Sequence, residues 1–415
     1  MKNQDLVRKR RGVLVALAAL LAVIVVMASL MSFLNLRGVF SRSWEGGQWS
    51  DMQTADFGWP LPVEFEGKLF MFYSAVTKDT YDYKDDMIEP DEYFLHDVFY
   101  RTFDGSNFSD TVALSSPVDE VSTEGGCFVY GGKLYALLSE KWIANYTSYE
   151  WASRVRLEWV DGTVWREAPS PFGNQSETYY GLRVLFVGDK AWLIWVQPWS
   201  DVFSFKTFDG EAWSEARNAT FPTSAPNGQS FTVLDGKLWA VWENQTIRQG
   251  PPVFHTHEDI YVGSFDGENW SDVAWLNMPD DDATNLGPFM VGFRGSRFVF
   301  LESEYFSPSA LAMRRIGADG VLDAFEAVSP SGQYSSGSAG ACVYEGKLYV
   351  FWNIWNMHYQ GLVRSFDGEA WSSVYKLNDM AVENMFVFTG KLWVYASQGS
   401  RDGDTTMIRS FTVTR

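Results

Sequence analysis

Short apolar or alternating runs, separated by polar turns, fill most of the chain beyond residue 42. The run at residues 347–352 (Lys-Leu-Tyr-Val-Phe-Trp) follows Glu-Gly, and the alternating run at residues 361–366 ends at Asp-Gly. Runs of this kind bounded by Gly-containing turns are typical of β-strands, and Asx-Gly or Gly-Gly pairs suit the tight turns of β-hairpins. The pattern therefore predicts a succession of hairpins.

Two hairpins recur along the chain as a repeating pair. The first has Gly-Lys-Leu or a close variant at its turn, with copies at Gly67, Gly132, Asp189, Gly236, Gly295, Gly346 and Gly390. The second has Asp-Gly followed by Trp or Phe, with copies at Asp104, Asp161, Asp209, Asp266 and Asp367 and a degenerate one at Asp319. The mean spacing of about 54 residues indicates a repeat architecture, and two hairpins make one four-stranded propeller blade.

The two ends of the chain carry complementary parts of one repeat. The last repeat stops near Phe411 without an Asp-Gly-x-x-Trp turn, and the missing segment stands at residues 43–50 (Ser-Trp-Glu-Gly-Gly-Gln-Trp-Ser). A ring whose last blade takes its outer strand from the N-terminus leaves no open sheet edge between blades. We therefore predict an all-β, seven-bladed β-propeller over residues 43–415, closed by an N-terminal strand, and favour it over a solenoid.

Both repeat motifs resemble those of known propeller families. The Gly-x-Leu-Tyr-Val strand at residues 346–350 resembles kelch-type repeats, although Asn353 and Ile354 stand where kelch repeats have Gly-Gly. The Ser-Phe-Asp-Gly-x-x-Trp turn at residues 365–371 is similar to the Asp-box of sialidase-like propellers, but is one residue shorter. The resemblance implies a fold and no particular activity. Sialidases also need an arginine cluster, and the sequence shows no such set at the starts of the inner strands.

The N-terminal segment predicts a membrane anchor. Residues 1–11 are rich in Lys and Arg, and residues 12–33 are uncharged and overwhelmingly apolar, which is long enough for a transmembrane helix. Basic residues before the span place the N-terminus in the cytoplasm and the propeller outside the membrane. We predict a single-pass, uncleaved signal-anchor followed by a connector at residues 34–42; a cleaved signal peptide is the alternative.

Net charge and cysteine content restrict the partners and the covalent chemistry. The net charge of −19 repels polyanions, so the sequence argues against nucleic acid as a partner. Cys127 and Cys342 precede Gly-Lys-Leu copies in non-adjacent blades, too far apart for a disulfide. We expect two buried thiols.

Six Asn-x-Ser/Thr sequons predict a glycosylated surface protein. They start at Asn107, Asn145, Asn174, Asn218, Asn244 and Asn269. The alternative is that these residues simply serve turns, which favour Asn, Ser and Thr.

The side of the propeller opposite the tight turns should carry the variable loops, where binding sites usually lie. Alignment back from the repeat glycines, together with the aromatic residues of the loops, gives the ligand-binding candidates Trp59, Tyr180, Gln229, Asn285 and Trp355. Exposed rings beside hydrogen-bonding groups suit sugars, peptides or cations. The alternative for each aromatic residue is packing between blades.

The same alignment brings two glutamates, Glu124 and Glu383, to the channel end. They are the catalytic candidates for glycoside cleavage, in which a pair of carboxylates acts on the glycosidic bond. Polar capping of the channel is the alternative.

Metal-binding candidates are weaker. Asp79, Asp82 and Asp85 offer oxygen ligands for Ca²⁺ but lack the EF-hand pattern, so a solvated acidic loop is the alternative. His255 and His257 offer nitrogen ligands at i, i+2 spacing. The sequence favours a non-catalytic, membrane-anchored binding module for glycan or protein, with a glycan-active hydrolase or lyase as the alternative.

Overall fold

The computed structural model describes residues 43–44, 47–50, 52–54, 60–79, 94–114, 121–145, 150–162, 164–173, 180–196, 200–223, 226–250, 253–276, 287–303, 310–330, 339–356, 358–377, 380–398 and 405–413. Regular structure in this part of the chain is β-strand throughout, and it contains no helix that could span a bilayer. The predicted anchor at residues 12–33 and the connector at residues 34–42 lie outside the described residues.

Thirty strands are described, and they form seven antiparallel sheets. The first three strands are β1 (Ser43–Trp44), β2 (Gly47–Trp49) and β3 (Gln53–Thr54). Blade 1 consists of β4 (Leu61–Phe65), β5 (Lys68–Asp79), β6 (Phe94–Phe103) and β7 (Val112–Ala113). Blade 2 consists of β8 (Val121–Tyr130), β9 (Lys133–Asn145), β10 (Glu150–Asp161) and β11 (Val164–Ala168). Blade 3 consists of β12 (Tyr180–Val187), β13 (Lys190–Val196), β14 (Val202–Phe208) and β15 (Arg217–Thr220).

The remaining blades repeat this order. Blade 4 consists of β16 (Pro226–Leu234), β17 (Lys237–Gly250), β18 (Val253–Phe265) and β19 (Trp270–Trp275). Blade 5 consists of β20 (Phe289–Phe293), β21 (Ser296–Ser303), β22 (Ala310–Ile316) and β23 (Glu326–Ala327). Blade 6 consists of β24 (Ala339–Tyr344), β25 (Lys347–Asn356), β26 (His358–Phe366) and β27 (Tyr375–Leu377). Blade 7 contains β28 (Ala381–Phe388), β29 (Lys391–Gln398) and β30 (Thr405–Val413).

The chain divides into two units, of which the larger is Met52–Ile408. Within it, consecutive blades bury apolar residues between their faces, and Leu69 and Met71 of blade 1 pack with Trp393 and Tyr395 of blade 7. Blade 1 therefore packs on blade 7 as well as on blade 2, and this unit is a closed seven-bladed propeller. Because both faces of each sheet are covered, the second strands read as continuous apolar runs rather than as alternating ones.

The smaller unit joins the N-terminal residues up to Asp51 with Arg409–Arg415. Here β2 pairs antiparallel with the end of β30, with Trp49 opposite Phe411, and the two rings lie 5.0 Å apart. The hydroxyl of Ser50 accepts a hydrogen bond from the backbone N–H of Ser410 at 2.9 Å. This pairing confirms the predicted N-terminal strand beside the last strand of the chain.

The tight turns have the geometry that the repeat sequence predicted. Glu345 and Gly346 have φ angles of 45° and 73°, so both central residues of this hairpin are in the left-handed region that type I′ turns require. In the second hairpin of the same blade, the Asp367 carboxylate accepts hydrogen bonds from the backbone N–H groups of Glu369 and Ala370 at 2.9 and 2.8 Å. We call the side of the propeller with these turns the turn side, and the opposite side the loop side.

Candidate functional site

The inner strands of four blades carry an irregularity at the same level, near their loop-side ends. The register of each inner strand against its neighbour shifts between Glu124 and Gly126, between Tyr180 and Arg183, between Asn227 and Ser230, and between Val382 and Asn384. A β-bulge bends the strand and changes the direction of nearby side chains, and bulges are common beside active sites. We call the loop-side ends of the inner strands the mouth.

Four of the residues that the repeat alignment selected lie at these bulges. Glu124 and Tyr180 flank the bulges of β8 and β12 by backbone position, and their side chains lie outside the described part of the structure. Gln229 and Glu383 lie within the bulges of β16 and β28 and are partly exposed. The structure thus brings these four backbone positions to one level of the propeller.

The other ligand-binding candidates are not on described inner strands. Trp59 and Asn285 lie outside the described residues. The backbone of Trp355 belongs to β25, opposite Tyr359 at the loop-side end of a hairpin, and its side chain is not described. Trp355 is therefore placed on the loop side but on the second strand of its blade.

The carboxylate of Glu383 is held by a neighbouring strand. The hydroxyl of Ser397, on β29, donates a hydrogen bond to Oε1 of Glu383 at 2.6 Å. A charge-assisted bond of this length restrains the carboxylate more firmly than a bond between neutral groups would. The bulge in β28 and this bond together fix an acidic group at the mouth.

A polar layer lies on the second strands just beyond the apolar core, and the sequence analysis missed it. Each member lies seven residues after the second residue of the tight turn in the first hairpin of its blade. In six of the seven blades this position is polar, and the residues are Ser74, Ser139, Glu243, Glu302, Asn353 and Ser397. Glu243 and Glu302 are buried, with 6% and 7% of their surface exposed. Counting seven residues from each repeat glycine would have found this layer in the sequence.

Two members of this layer show what it contacts. The amide of Asn353 donates to the carbonyl of Val382 at 2.9 Å and accepts from the N–H of Val382 at 2.7 Å, which ties blade 6 to the inner strand of blade 7. The carboxylate of Glu243 lies directly against Gly228, within the bulge of β16. The layer therefore supports the strands that form the mouth.

Arg183 was also missed, because a single arginine does not make the cluster that was sought. It is the first residue after the bulge of β12 and pairs with Ile194. Its side chain is exposed, yet the surrounding protein withdraws enough water to lower the pKa of its guanidinium. Solvent therefore reaches the Arg183 side chain, while the protein around it partly shields the charge.

Most other arginines near the sheets have assigned partners. Arg364 donates to the carbonyls of Ser372 and Val328, both at 2.7 Å, and so connects blades 6 and 5. Arg154 and Arg156 form ion pairs with the buried Glu140 at 2.6 and 3.0 Å. Arg364 thus links two neighbouring blades, whereas Arg154 and Arg156 join two strands within blade 2.

The aspartates of the second hairpin are also structural. Asp104, Asp209, Asp266 and Asp367 each accept backbone hydrogen bonds within their own turns, and these bonds lower the pKa of each carboxyl group from its ordinary value of 3.8. They lie on the turn side, away from the mouth.

The structure describes the metal-site candidates only in part. Asp82 and Asp85 lie outside the described residues, and of Asp79 only the backbone, in β5, is described. His255 and His257 lie in β18, opposite Arg248 and Thr246. Within the described part of the chain, no three His, Cys, Asp or Glu side chains are grouped to hold a metal.

The sequons fall in several environments. Asn107, Asn218 and Asn269 are exposed, and Asn244 is partly buried in β17. The side chain of Asn145 and the whole of Asn174 are outside the description.

Cys127 and Cys342 form no disulfide, as expected, and they are half-buried rather than fully buried. Burial nevertheless raises the pKa of the Cys342 thiol to about 12, so this side chain stays protonated at neutral pH.

Comparisons with known proteins support the fold. No family model and no curated protein matches the sequence. Among solved structures, the polysaccharide lyase Uly1 matches with 11% identity and a TM-score of 0.51, over 90% of this chain and 94% of that one. Two further matches are the NanB sialidase of Streptococcus pneumoniae (11% identity, 88% and 70% coverage, TM-score 0.41) and the β-propeller domain of the Trilobed protease from Pyrococcus furiosus (9%, 89% and 99%, 0.48). The resemblance to sialidase-like propellers is one of fold.

Proposed function

We propose that this chain is a membrane-anchored, extracytoplasmic propeller that binds glycans at its mouth without cleaving them. The observation that carries the proposal is the alignment of four bulges at one level of the inner strands. Arg183, Gln229, Ser230, Glu383 and Asn384 lie at this level and offer hydrogen-bond donors and acceptors suited to sugar hydroxyl groups. The aromatic candidates of the same side would supply faces for the C–H surfaces of the rings.

The location outside the membrane rests on the sequence. The basic residues before the apolar run of residues 12–33 favour an anchor with a cytoplasmic N-terminus. We expect a protease added to intact cells to digest the propeller and to leave a tag at Met1 intact. Protection of a C-terminal tag in the same cells would reverse the proposed orientation.

A specific observation favours a second candidate, a glycan-active hydrolase or lyase. The bulges place the backbones of Glu124 and Glu383 at the same level of blades 2 and 7, and Ser397 restrains the Glu383 carboxylate. General acid–base catalysis needs such positioned carboxyl groups. Uly1 is described as a polysaccharide lyase, but its likeness to this chain extends to the fold alone.

One experiment separates the two candidates. The full chain is screened on a glycan array, and each bound glycan is incubated with it and assayed for new reducing ends or unsaturated products. For a binding module, Trp59→Ala and Trp355→Ala should weaken capture by about 2 kcal/mol or more, whereas Glu124→Gln and Glu383→Gln should change it little.

If the chain is a hydrolase or lyase, the glutamate substitutions should have the large effect, and that effect should be on turnover. Turnover by the wild-type chain that falls about 10²- to 10⁴-fold in Glu124→Gln or Glu383→Gln, with affinity retained, would replace the binding proposal with the catalytic one.

A further inference from the structure

Arg183 occupies an open place between two neighbouring blades. The inner strand β12 contacts both β8 and β16, and the residues at the level of Arg183 in those strands are Gly126 and Ser230. Both neighbours are small, and a methyl group added to Gly126 would find no heavy atom within 4 Å. No bulky residue of β8 or β16 therefore stands at the level of Arg183, and the Arg183 side chain is itself exposed.

Among the described residues, the guanidinium of Arg183 also has no polar partner. No hydrogen bond or ion pair links Arg183 to another described side chain, and loss of water is the one influence on its pKa. In contrast, Arg154 and Arg156 share Glu140, and Arg364 binds two carbonyls. A partly desolvated cation with space beside it binds an anion more strongly than an exposed surface cation does, because less water competes.

We infer that Arg183 is the anion-recognition residue of the mouth, so that the glycan bound there carries a carboxylate or a sulfate group. This inference rests on the proposed glycan binding and specifies the ligand class. The planar guanidinium can donate two parallel hydrogen bonds to two oxygens of either group, which a lysine cannot match. The net charge of −19 makes the rest of the protein repel a polyanion. One local cation attracts one charged group, so we expect a glycan with widely spaced charges to bind better than a densely charged glycan.

The test compares three oligosaccharides with the full chain by calorimetry. The probes are three oligosaccharides of similar length, which carry a carboxylate on alternate sugars, a sulfate on alternate sugars, or no charge. We expect at least one acidic probe to bind more tightly than the neutral one. The tighter of the two acidic probes distinguishes a carboxylate from a sulfate as the recognised group.

Variants assign the preference to the residue. Arg183→Gln should lower affinity for the acidic probe by about 10- to 100-fold, and affinity for the neutral probe by much less, because only the charged group loses an ionic partner. Arg183→Lys should restore part of the loss. Arg166→Gln is the matched control. Arg166 lies on the outer strand of blade 2 and forms an exposed ion pair with Asp161, so this variant removes the same charge from a different place. The melting temperature of each variant verifies that it is folded.

The outcomes distinguish a failure of anion recognition by Arg183 from a failure of glycan binding at the mouth. Equal binding of acidic and neutral probes, or an acidic preference that survives Arg183→Gln, overturns the inference and leaves glycan binding standing. A parallel series measures the melting temperature in inorganic sulfate. A stabilisation by sulfate that Arg183→Gln abolishes, with no binding of any oligosaccharide, supports the anion site and rejects glycan binding. The absence of both effects rejects both.

Discussion

The guanidinium of Arg364 joins three segments of chain through two hydrogen bonds to carbonyl groups. Arg364→Met keeps the length of the side chain but leaves the carbonyl of the buried Val328 without this donor. We expect the free energy of unfolding to fall by about 2 to 4 kcal/mol, measured by urea denaturation.

Arg166→Met provides the control for this change. It breaks an ion pair whose side chains are 57% and 53% exposed, and should cost less than about 1 kcal/mol. Equal losses in the two variants would show that the carbonyl contacts of Arg364 contribute little.

The turn aspartates should make the fold sensitive to acid. Their backbone hydrogen bonds lower the folded-state pKa of Asp104, Asp209, Asp266 and Asp367 below 3.8, so their contribution to stability is present above that pH. It is lost as the pH falls from about 4 through the lower folded values. Replacing all four by Asn should flatten the decline of the urea midpoint below pH 4.

Asp319 supplies the comparison, since the structure shows it accepting one backbone N–H, from Val321. Asp319→Asn should therefore lower the urea midpoint at neutral pH less than Asp367→Asn, whose carboxylate accepts two backbone hydrogen bonds. An unchanged limb in the fourfold variant would contradict the role assigned to the turn carboxylates.

The residues of the candidate site were only partly predictable from sequence. Gln229 and Glu383 were found by counting back from the repeat glycine, because the strand period is regular enough to give an approximate level. Arg183 was missed because a cluster of arginines was sought, and the bulge before it also moves every later side chain of β12 to the other face. Sequence spacing gives the level of a residue and leaves its direction open.

Within the strand β16, the bulge brings Gly228 against the carboxylate of Glu243. Gly228 has a φ of 51°, and a methyl group there would overlap the carboxylate, so Gly228→Ala must both strain the backbone and displace Glu243. We expect a loss of about 2 to 3 kcal/mol in the free energy of unfolding, together with weaker ligand binding.

Gly236→Ala isolates the backbone part of this effect. Gly236 has a φ of 72°, and a methyl group there would meet no atom within 4 Å, so its loss should be about 1 kcal/mol with binding unchanged. The same cost at both positions would mean that the Glu243 contact is unimportant.

The strands themselves were easier to predict than their irregularities. Each repeat supplies two turn pairs whose φ requirements fix where strands end, as Glu345 and Gly346 show. The bulges had a weaker signal: Gly181 and Gly228 stand eight residues before the second turn residue, Gly126 stands six before it, and the bulge of β28 contains no glycine. A glycine in a strand indicates a bulge or a close approach and does not by itself distinguish between them.

For the whole molecule, removal of residues 35–51 tests the N-terminal strand. The deletion takes β2 from the edge of β30, so the amide of Ser410 loses its bond to Ser50, Thr412 loses its partner Gln48, and Trp49 no longer covers Phe411. We expect a lower melting temperature and faster hydrogen exchange at Ser410 and Thr412.

A second deletion measures the effect of chain length alone. Residues 80–92 are replaced by a short Gly-Ser linker, which leaves every described strand in place. If both deletions lower the melting temperature equally, the N-terminal strand has no special role.

The pairing of β2 with β30 also has a consequence for chain connectivity. Trp49 faces Phe411 as the aromatic residues Trp371 and Phe366 face each other in blade 6, where the continuous turn at Asp367 joins them. The two chain ends thus occupy the place of one covalent turn. A circular permutant that starts at Met52 and joins Arg415 to Ser43 through a short linker would restore that turn. It would turn the pairing of β2 with β30 from a contact between residues 360 positions apart into a local hairpin, and would release the propeller from any anchor that precedes it.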